Sequence, residues 1–225
     1  MATIVTVSRQ FGSGGARVGR DLAQRLGFQY ADRDILAAAA HRLHVDAAEL
    51  EPLEERTATV WERIGMMFAL GAPDTPFIPP TLPTVTESHL FAVEQDVIAE
   101  IASRGRAVIV GRGAGHVLDD STDVLRVFLH APLRHRVTLA MAEYGITDRN
   151  EAEAVVRASD GARGKSVRPL TQKDWCDATL YDITLDTSVF GIERAVDVLV
   201  DLVQRPSSGP LSPTTPLTSA DRDAS

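Results

Sequence analysis

The stretch "TIVTVSRQFGSGGARVGRDLAQRLG", residues 3–27, constrains the chain more than any other. Its β-branched start reads as a short buried strand. Gly12, Gly14 and Gly15 follow. Val18, Leu22 and Leu26, with Ala23 beside Leu22, then recur at helical spacing up to Gly27, a C-capping glycine. A strand that passes through a glycine turn into a helix has the geometry of an anion site. The backbone N–H groups curl around a phosphate, and the helix N-terminus adds a positive field. The loop is Gly12, Ser13, Gly14, Gly15, Ala16 and Arg17.

The match to the phosphate-loop pattern G-x-x-x-x-G-K-[ST] is incomplete. Gly15 stands where the lysine belongs, and Arg17 stands near the Ser/Thr position that holds Mg²⁺. From this stretch alone, a turn that only packs a helix on a sheet stays open. A dinucleotide site is a third reading, but "GSGGARVG" is out of register with G-x-G-x-x-G.

The rest of the chain alternates strands and helices. "FQYA" is a short strand, and Asp32 N-caps "RDILAAAAHRL". "VDAAELEPLEER" and "TATVWERIGMMFAL" read as two helices. "GAPDTPFIPPTLPT" holds five prolines in 14 residues and reads as a binding loop or lid. Residues 88–103 form an amphipathic helix, and strands follow at 106–111 and 123–131. "PLRHRVTLAMAEYG" is a helix with Pro132 at its start. "NEAEAVVRASDGARGKSV" is a polar helix ending in a basic stretch. "YDITLDTS" is the last strand, and "GIERAVDVLVDLVQR" the last helix. The strands are apolar throughout, as parallel strands covered on both faces are. The expected fold is α/β, a parallel sheet flanked by helices. Residues 206–225, rich in Pro, Ser, Thr and Asp, read as a disordered tail.

With 225 residues the chain suffices for one good-sized domain. A net charge of −8 argues against nucleic acid as the partner, though a local basic pocket for a small anion is compatible with it. One cysteine, Cys176, allows no internal disulfide and fits a reducing cytoplasm; it reads as a half-buried small residue. No apolar stretch of transmembrane length and no signal peptide is read, so no membrane partner is expected. The histidines show no metal-ligand spacing.

Several charges fall on one rim of the expected sheet. "IVGRGAGHVL" puts Arg112 directly after a strand, between two glycines. Ligands of open parallel sheets sit beyond the strands' carboxyl ends, and a guanidinium there grips a phosphate bidentately. A surface arginine in a turn is the competing reading. "YADRDIL" ends the second strand with Asp32, Arg33 and Asp34. Asp32 serves as an N-cap at least as readily as a ligand contact, and Arg33 is the better phosphate or base contact. "VVRASDGARGKSVR" holds Arg157, Asp160, Arg163, Lys165 and Arg168. Asp160 and Arg163 can pair at i, i+3. The cluster is either a solvated helix face or a lid that neutralises phosphate charge. Arg134 and Arg136 read as surface charges outside the site.

Taken together, "IVTVSRQFGSGGARVGRDLAQRLG", "YADRDIL", "VIVGRGAGHVL", "FLHAPLRHRV", "SDGARG" and "WCDATLYDITLDTS" resemble the cytidylate-kinase-like family over about residues 3–203. The resemblance implies a nucleoside-monophosphate-kinase fold: a five-stranded parallel sheet, a helical acceptor-binding insert and a mobile lid. On that template residues 1–205 form one domain. Its core is 1–40 and 105–205, the insert is about 41–104, and the lid about 148–170. ATP is the implied donor, Mg²⁺ its companion, and CMP or dCMP the acceptor. Gly12 to Arg17 would bind the donor. Arg112 matches the acceptor-contacting arginine of a "GRD" motif whose acid is Gly113 here. Asp32 and Arg33 fall beside the monophosphate. Asp160 and Arg163 match the acid and second arginine of the lid set; with Arg17 and Arg157 they are the candidate catalytic charges. Arg9, Arg17 and the lid arginines compete for the role of the absent lysine, and the sequence does not choose among them. A nucleotide-binding regulatory module without turnover, or a kinase of a small non-nucleotide metabolite, are the alternatives.

Overall fold

The computed structural model describes residues 2–43, 87–118, 123–172 and 174–205. The two helices read between residues 45 and 70, the five-proline loop and the tail lie outside the described residues.

The first half of the fold is β1 (Ile4–Arg9), α1 (Gly15–Leu26), β2 (Gln29–Ala31), α2 (Arg33–Leu43), α3 (Glu87–Arg104), β3 (Ala107–Val110) and the one-turn α4 (Ala114–Val117). Then come β4 (Val124–His130), α5 (Leu133–Tyr144), α6 (Arg149–Thr171), a 3₁₀ turn (Ala178–Leu180), β5 (Ile183–Asp186) and α7 (Thr187–Gln204). The five strands form one sheet in the order β2-β3-β1-β4-β5, and every pairing is parallel. β1 is central. The chain leaves it toward β3 and β2 on one side and later fills β4 and β5 on the other. That reversal opens a crevice at the carboxyl ends of β1 and β3.

Alternation along the strands divides the core. Val5, Val7, Val108 and Val110 point to one face and pack with Val18 and Leu22 of α1 and with Ala195, Val196 and Leu199 of α7. Ile4, Ala107 and Ile109 point to the other, against Ile35 of α2 and Val97, Ile98 and Ile101 of α3. Leu22 and Ile98 are fully buried, each contributing about 1.5–3 kcal/mol. A third cluster joins α5 and α6 through Val137, Ala140, Val155 and Val156, and takes in Phe11 from the glycine turn. The turn is thus gripped from both ends, by α1 and by the α5–α6 pair.

Some element limits differ from expectation. α4 is a single turn, too short to show a periodicity of its own. α7 begins at Thr187, four residues before the expected start, with Asp186 accepting the Ser188 N–H as its cap. Gly191 interrupts it with φ 70° and ψ 169°, and the regular apolar pattern resumes only beyond that break. α6 is one continuous helix of 23 residues, longer than the polar segment read from sequence.

Candidate active site

The glycine turn joins β1 to α1 at the centre of the sheet. Gly12 and Gly14 hold φ of 76° and 75°, the left-handed region that suits glycine. A Cβ on Gly12 would lie 2.5 Å from the Arg136 carbonyl oxygen, and one on Gly14 would overlap Ile192. Gly14 caps α1 without any side-chain acceptor, which leaves the first-turn N–H groups free for an anion. Ala16 and Arg17 are exposed on that turn. Ser13 faces inward: it is fully buried, and its hydroxyl donates to the Gln10 carbonyl at 2.8 Å. Its place in the loop is architectural.

Arg9 ends β1 and crosses the rim. A Cβ on Gly15 would stand 2.5 Å from the Arg9 Cγ and 2.7 Å from its Cβ, so the arginine stem fills that volume. A Cβ on Gly111, at the end of β3, would overlap the Arg9 guanidinium. Arg9 Nη2 lies 3.7 Å from Asp32 Oδ1, and Tyr30 donates its hydroxyl to Asp32 Oδ2 at 3.1 Å. Burial and the neighbouring Asp32 push the Tyr30 phenol up to about 12, so it stays a donor. Asp32 precedes α2 as an N-cap would, but its carboxylate faces Arg9 and Tyr30. Arg33 opens α2; its side chain lies outside the described part.

Arg112 follows β3 in a left-handed conformation, φ 60°, between Gly111 and Gly113. Its Nη1 donates to Glu94 Oε1 of α3 at 3.1 Å. Glu94 is 5% exposed, and burial pushes its carboxyl up to about 7. Arg112 therefore follows the carboxyl end of β3 with its guanidinium steered by an acid.

The α6 charges divide. Asp160 reaches the glycine turn: Oδ1 accepts the Phe11 N–H at 2.9 Å, and Oδ2 accepts Arg136 Nη1 at 2.6 Å. Arg163 lies 3.8 Å from Asp160 Oδ1, with its guanidinium 5.6 Å from the centre of the Phe11 ring. Arg157 is directed elsewhere, along its own helix to Glu153 at 2.8 Å, and is 64% exposed. Lys165 and Arg168 line a cavity of about 430 Å³ with Asp160, Asp174 and Trp175.

Sequence reasoning misplaced Arg136. It is buried, not a surface charge, and donates to the carbonyls of Ala131 and Phe11 as well as to Asp160. Its position just after the carboxyl end of β4, on the rim already under suspicion, was the available signal. Arg134 is exposed, as read. Glu94 was missed too; it sits four residues before Ile98 and seven before Ile101, so it breaks the buried stripe of α3. Cys176 is exposed, not half-buried. The desolvation it does experience, with Asp174, raises its thiol pKa, which disfavours a nucleophile. Among the described residues no group of three or more His, Cys, Asp or Glu could hold a metal ion, and no helix is long and apolar enough to cross a membrane.

An all-parallel five-stranded sheet with a glycine turn after its central first strand is the P-loop kinase-like architecture. Known structures agree. A shikimate kinase from Bacteroides thetaiotaomicron superposes with a TM-score of 0.52 at 13% identity, covering 90% of this chain and 99% of that one. An uncharacterized protein from Eubacterium ventriosum gives 0.64 at 22% identity, covering 90% and 98%. A cytidylate kinase from Methanopyrus kandleri is 27% identical over 201 residues, 88% of this chain and 92% of that protein. The cytidylate kinase-like family matches residues 4–189, and the chain belongs to that family.

Proposed function

We propose that this protein transfers the terminal phosphoryl group of ATP to a nucleoside monophosphate, with CMP or dCMP as the first acceptors to try. The observation that carries the reading is the adjacency of two groups on one rim. The uncapped glycine turn follows β1, and Arg112 follows β3, its hydrogen-bonded neighbour. One suits a chain of donor phosphates; the other suits an acceptor phosphate. In the reaction an acceptor phosphate oxygen attacks the γ-phosphorus, the bond from that phosphorus to the β–γ bridging oxygen breaks, and ADP leaves with that electron pair. The protein's part is positioning and charge neutralisation. The turn amides bind the donor, with Arg17 as the candidate charge beside them. Arg112 binds the acceptor, and Asp32 and Arg33, which follow β2, are the further candidates on the acceptor side. Asp160 holds the turn, while Arg163 and Arg157 belong to the lid helix.

Mg²⁺ is expected to arrive with ATP. Position 17 offers a guanidinium in place of a hydroxyl, and the Ser13 hydroxyl is fully buried, facing the Gln10 carbonyl, so neither fits an ion at the turn. The single thiol and the nucleotide substrates fit a cytoplasmic setting.

A second reading, nucleotide binding without turnover, draws on Gly15 at the lysine position. A coupled assay of ADP release with Mg²⁺-ATP and CMP, dCMP, UMP, AMP, GMP and small hydroxylated metabolites separates the readings. The proposal expects release that depends on a cytidine monophosphate. Release only with a non-nucleotide acceptor, or ATP binding with no release, contradicts it.

A further inference from the structure

We propose that Arg9 supplies the phosphate-binding charge that a phosphate loop ordinarily takes from the lysine one residue into the helix. The inference rests on the phosphate-site reading above and assigns its missing cation.

Two glycines on separate segments are emptied for one arginine. At Gly15, the position of the absent lysine, a Cβ would stand 2.5 Å from the Arg9 Cγ. The clash is with the stem of Arg9, which cannot swing clear as its tip could. Arg9 and a side chain at position 15 therefore exclude one another. At Gly111, 96 residues further on, a Cβ would overlap the guanidinium itself. The fold thus leads a cation out of β1, through the volume of the missing lysine, and sets its head on the rim between the β1 and β3 ends. Arg112 follows immediately.

The charge is also within reach of the rim. Arg9 pairs with Asp32 at 3.7 Å, an ion pair longer than a hydrogen bond, and Tyr30 claims the other carboxylate oxygen. The Arg9 side chain keeps 20% of its surface exposed, and a guanidinium carries five donors in a planar fork suited to phosphate. Two of the competing cations are held by other groups, and the third is surface-exposed. Arg136 donates to Asp160 and to two carbonyls, Arg163 is held over the Phe11 ring, and Arg17 is exposed on the first turn of α1.

The test is calorimetric binding of ATP and of inorganic tripolyphosphate to the full chain, with thermal melts alongside. Arg9→Gln keeps most of the stem and removes the charge; Arg9→Lys keeps the charge. Arg9→Gly/Gly15→Lys moves the cation to the usual position. We expect Arg9→Gln to weaken both ligands about 10-fold or more, as loss of a charged hydrogen bond does. Arg9→Lys should stay close to wild type. Gly15→Lys alone should melt lower than wild type, while the double variant recovers both the melt and the affinity. Unchanged tripolyphosphate affinity in a folded Arg9→Gln protein overturns the assignment and leaves the kinase reading standing. Equal losses in Gln and Lys variants that melt normally also overturn it, because shape and not charge would then matter. Binding that depends on Arg9 in a protein that phosphorylates no nucleotide upholds the assignment and defeats the kinase reading. A wild type that binds neither ligand defeats both.

Discussion

Asp160 Oδ1 accepts the Phe11 N–H at 2.9 Å, across 149 residues of chain. The same carboxylate receives Arg136, which in turn holds the Phe11 carbonyl at 3.1 Å. Phe11 is thus fastened at both its N–H and its C=O, and its ring stacks on Tyr144 with centroids 5.2 Å apart. The conformation of the glycine turn is therefore set partly by α5 and α6. A movement of α6 at Asp160 is felt directly by the backbone that would cradle phosphate.

Asp160→Ala should destabilise the protein by about 2–3 kcal/mol, because it removes the one carboxylate to which both a buried guanidinium and the Phe11 N–H donate. Asp160→Asn retains an acceptor oxygen and should cost less. Urea denaturation measures the difference. An Asp160→Ala midpoint equal to wild type contradicts this account of the joint.

Glycines at two places should respond in opposite directions to alanine. Gly12→Ala combines φ 76° with a Cβ 2.5 Å from a carbonyl oxygen, so it should cost about 2 kcal/mol or more and weaken ATP binding. Gly161 lies inside α6 with nothing within 4 Å of an added Cβ. Gly161→Ala should stabilise by roughly 0.5–1 kcal/mol. Thermal melts of the two variants, moving apart from wild type in opposite senses, are the expected result.

Glu94 links stability to pH. Its pKa in the folded protein is about 7 against an ordinary 4.5. Between these values the folded protein holds a proton that the unfolded chain has released, so stability falls as pH rises through that window and levels off above it. A rise from 4.5 to about 7 makes that loss roughly 3 kcal/mol. Glu94→Gln should flatten the slope. Unfolding free energies from about pH 5 to about pH 8 for the two proteins check it; parallel curves refute the assignment to Glu94.

Arg112→Ala should raise the acceptor KM by about 10- to 100-fold, the worth of a charge-assisted phosphate contact, with the ATP KM little changed. Initial rates with each substrate varied in turn separate the two. A loss confined to ATP would place Arg112 on the donor side.

How much of this could be read in the sequence depended on how local each signal is. The strands and α1 are plain because their apolar runs and helical spacing follow from what Val5, Val7, Val18 and Leu22 bury. Arg112 is plain because a strand end and two glycines flank it. The Asp160–Arg163 pair follows from helical spacing alone. Arg136 and Glu94 are different. Each is a charge in a stretch that otherwise reads as an ordinary helix, and each is explained only by a partner in another segment: Asp160 for one, Arg112 for the other. The exclusion between Arg9 and Gly15 was also hidden. Only five residues lie between them, but the meeting depends on how the turn folds back and on Gly111 from a different strand.

The most direct test of the central claim is ³¹P NMR of the purified protein with Mg²⁺-ATP and CMP. Transfer predicts that ATP and CMP are consumed together and that ADP and CDP resonances grow in equal amounts. ADP and inorganic phosphate without CDP, or an unchanged spectrum, would contradict it.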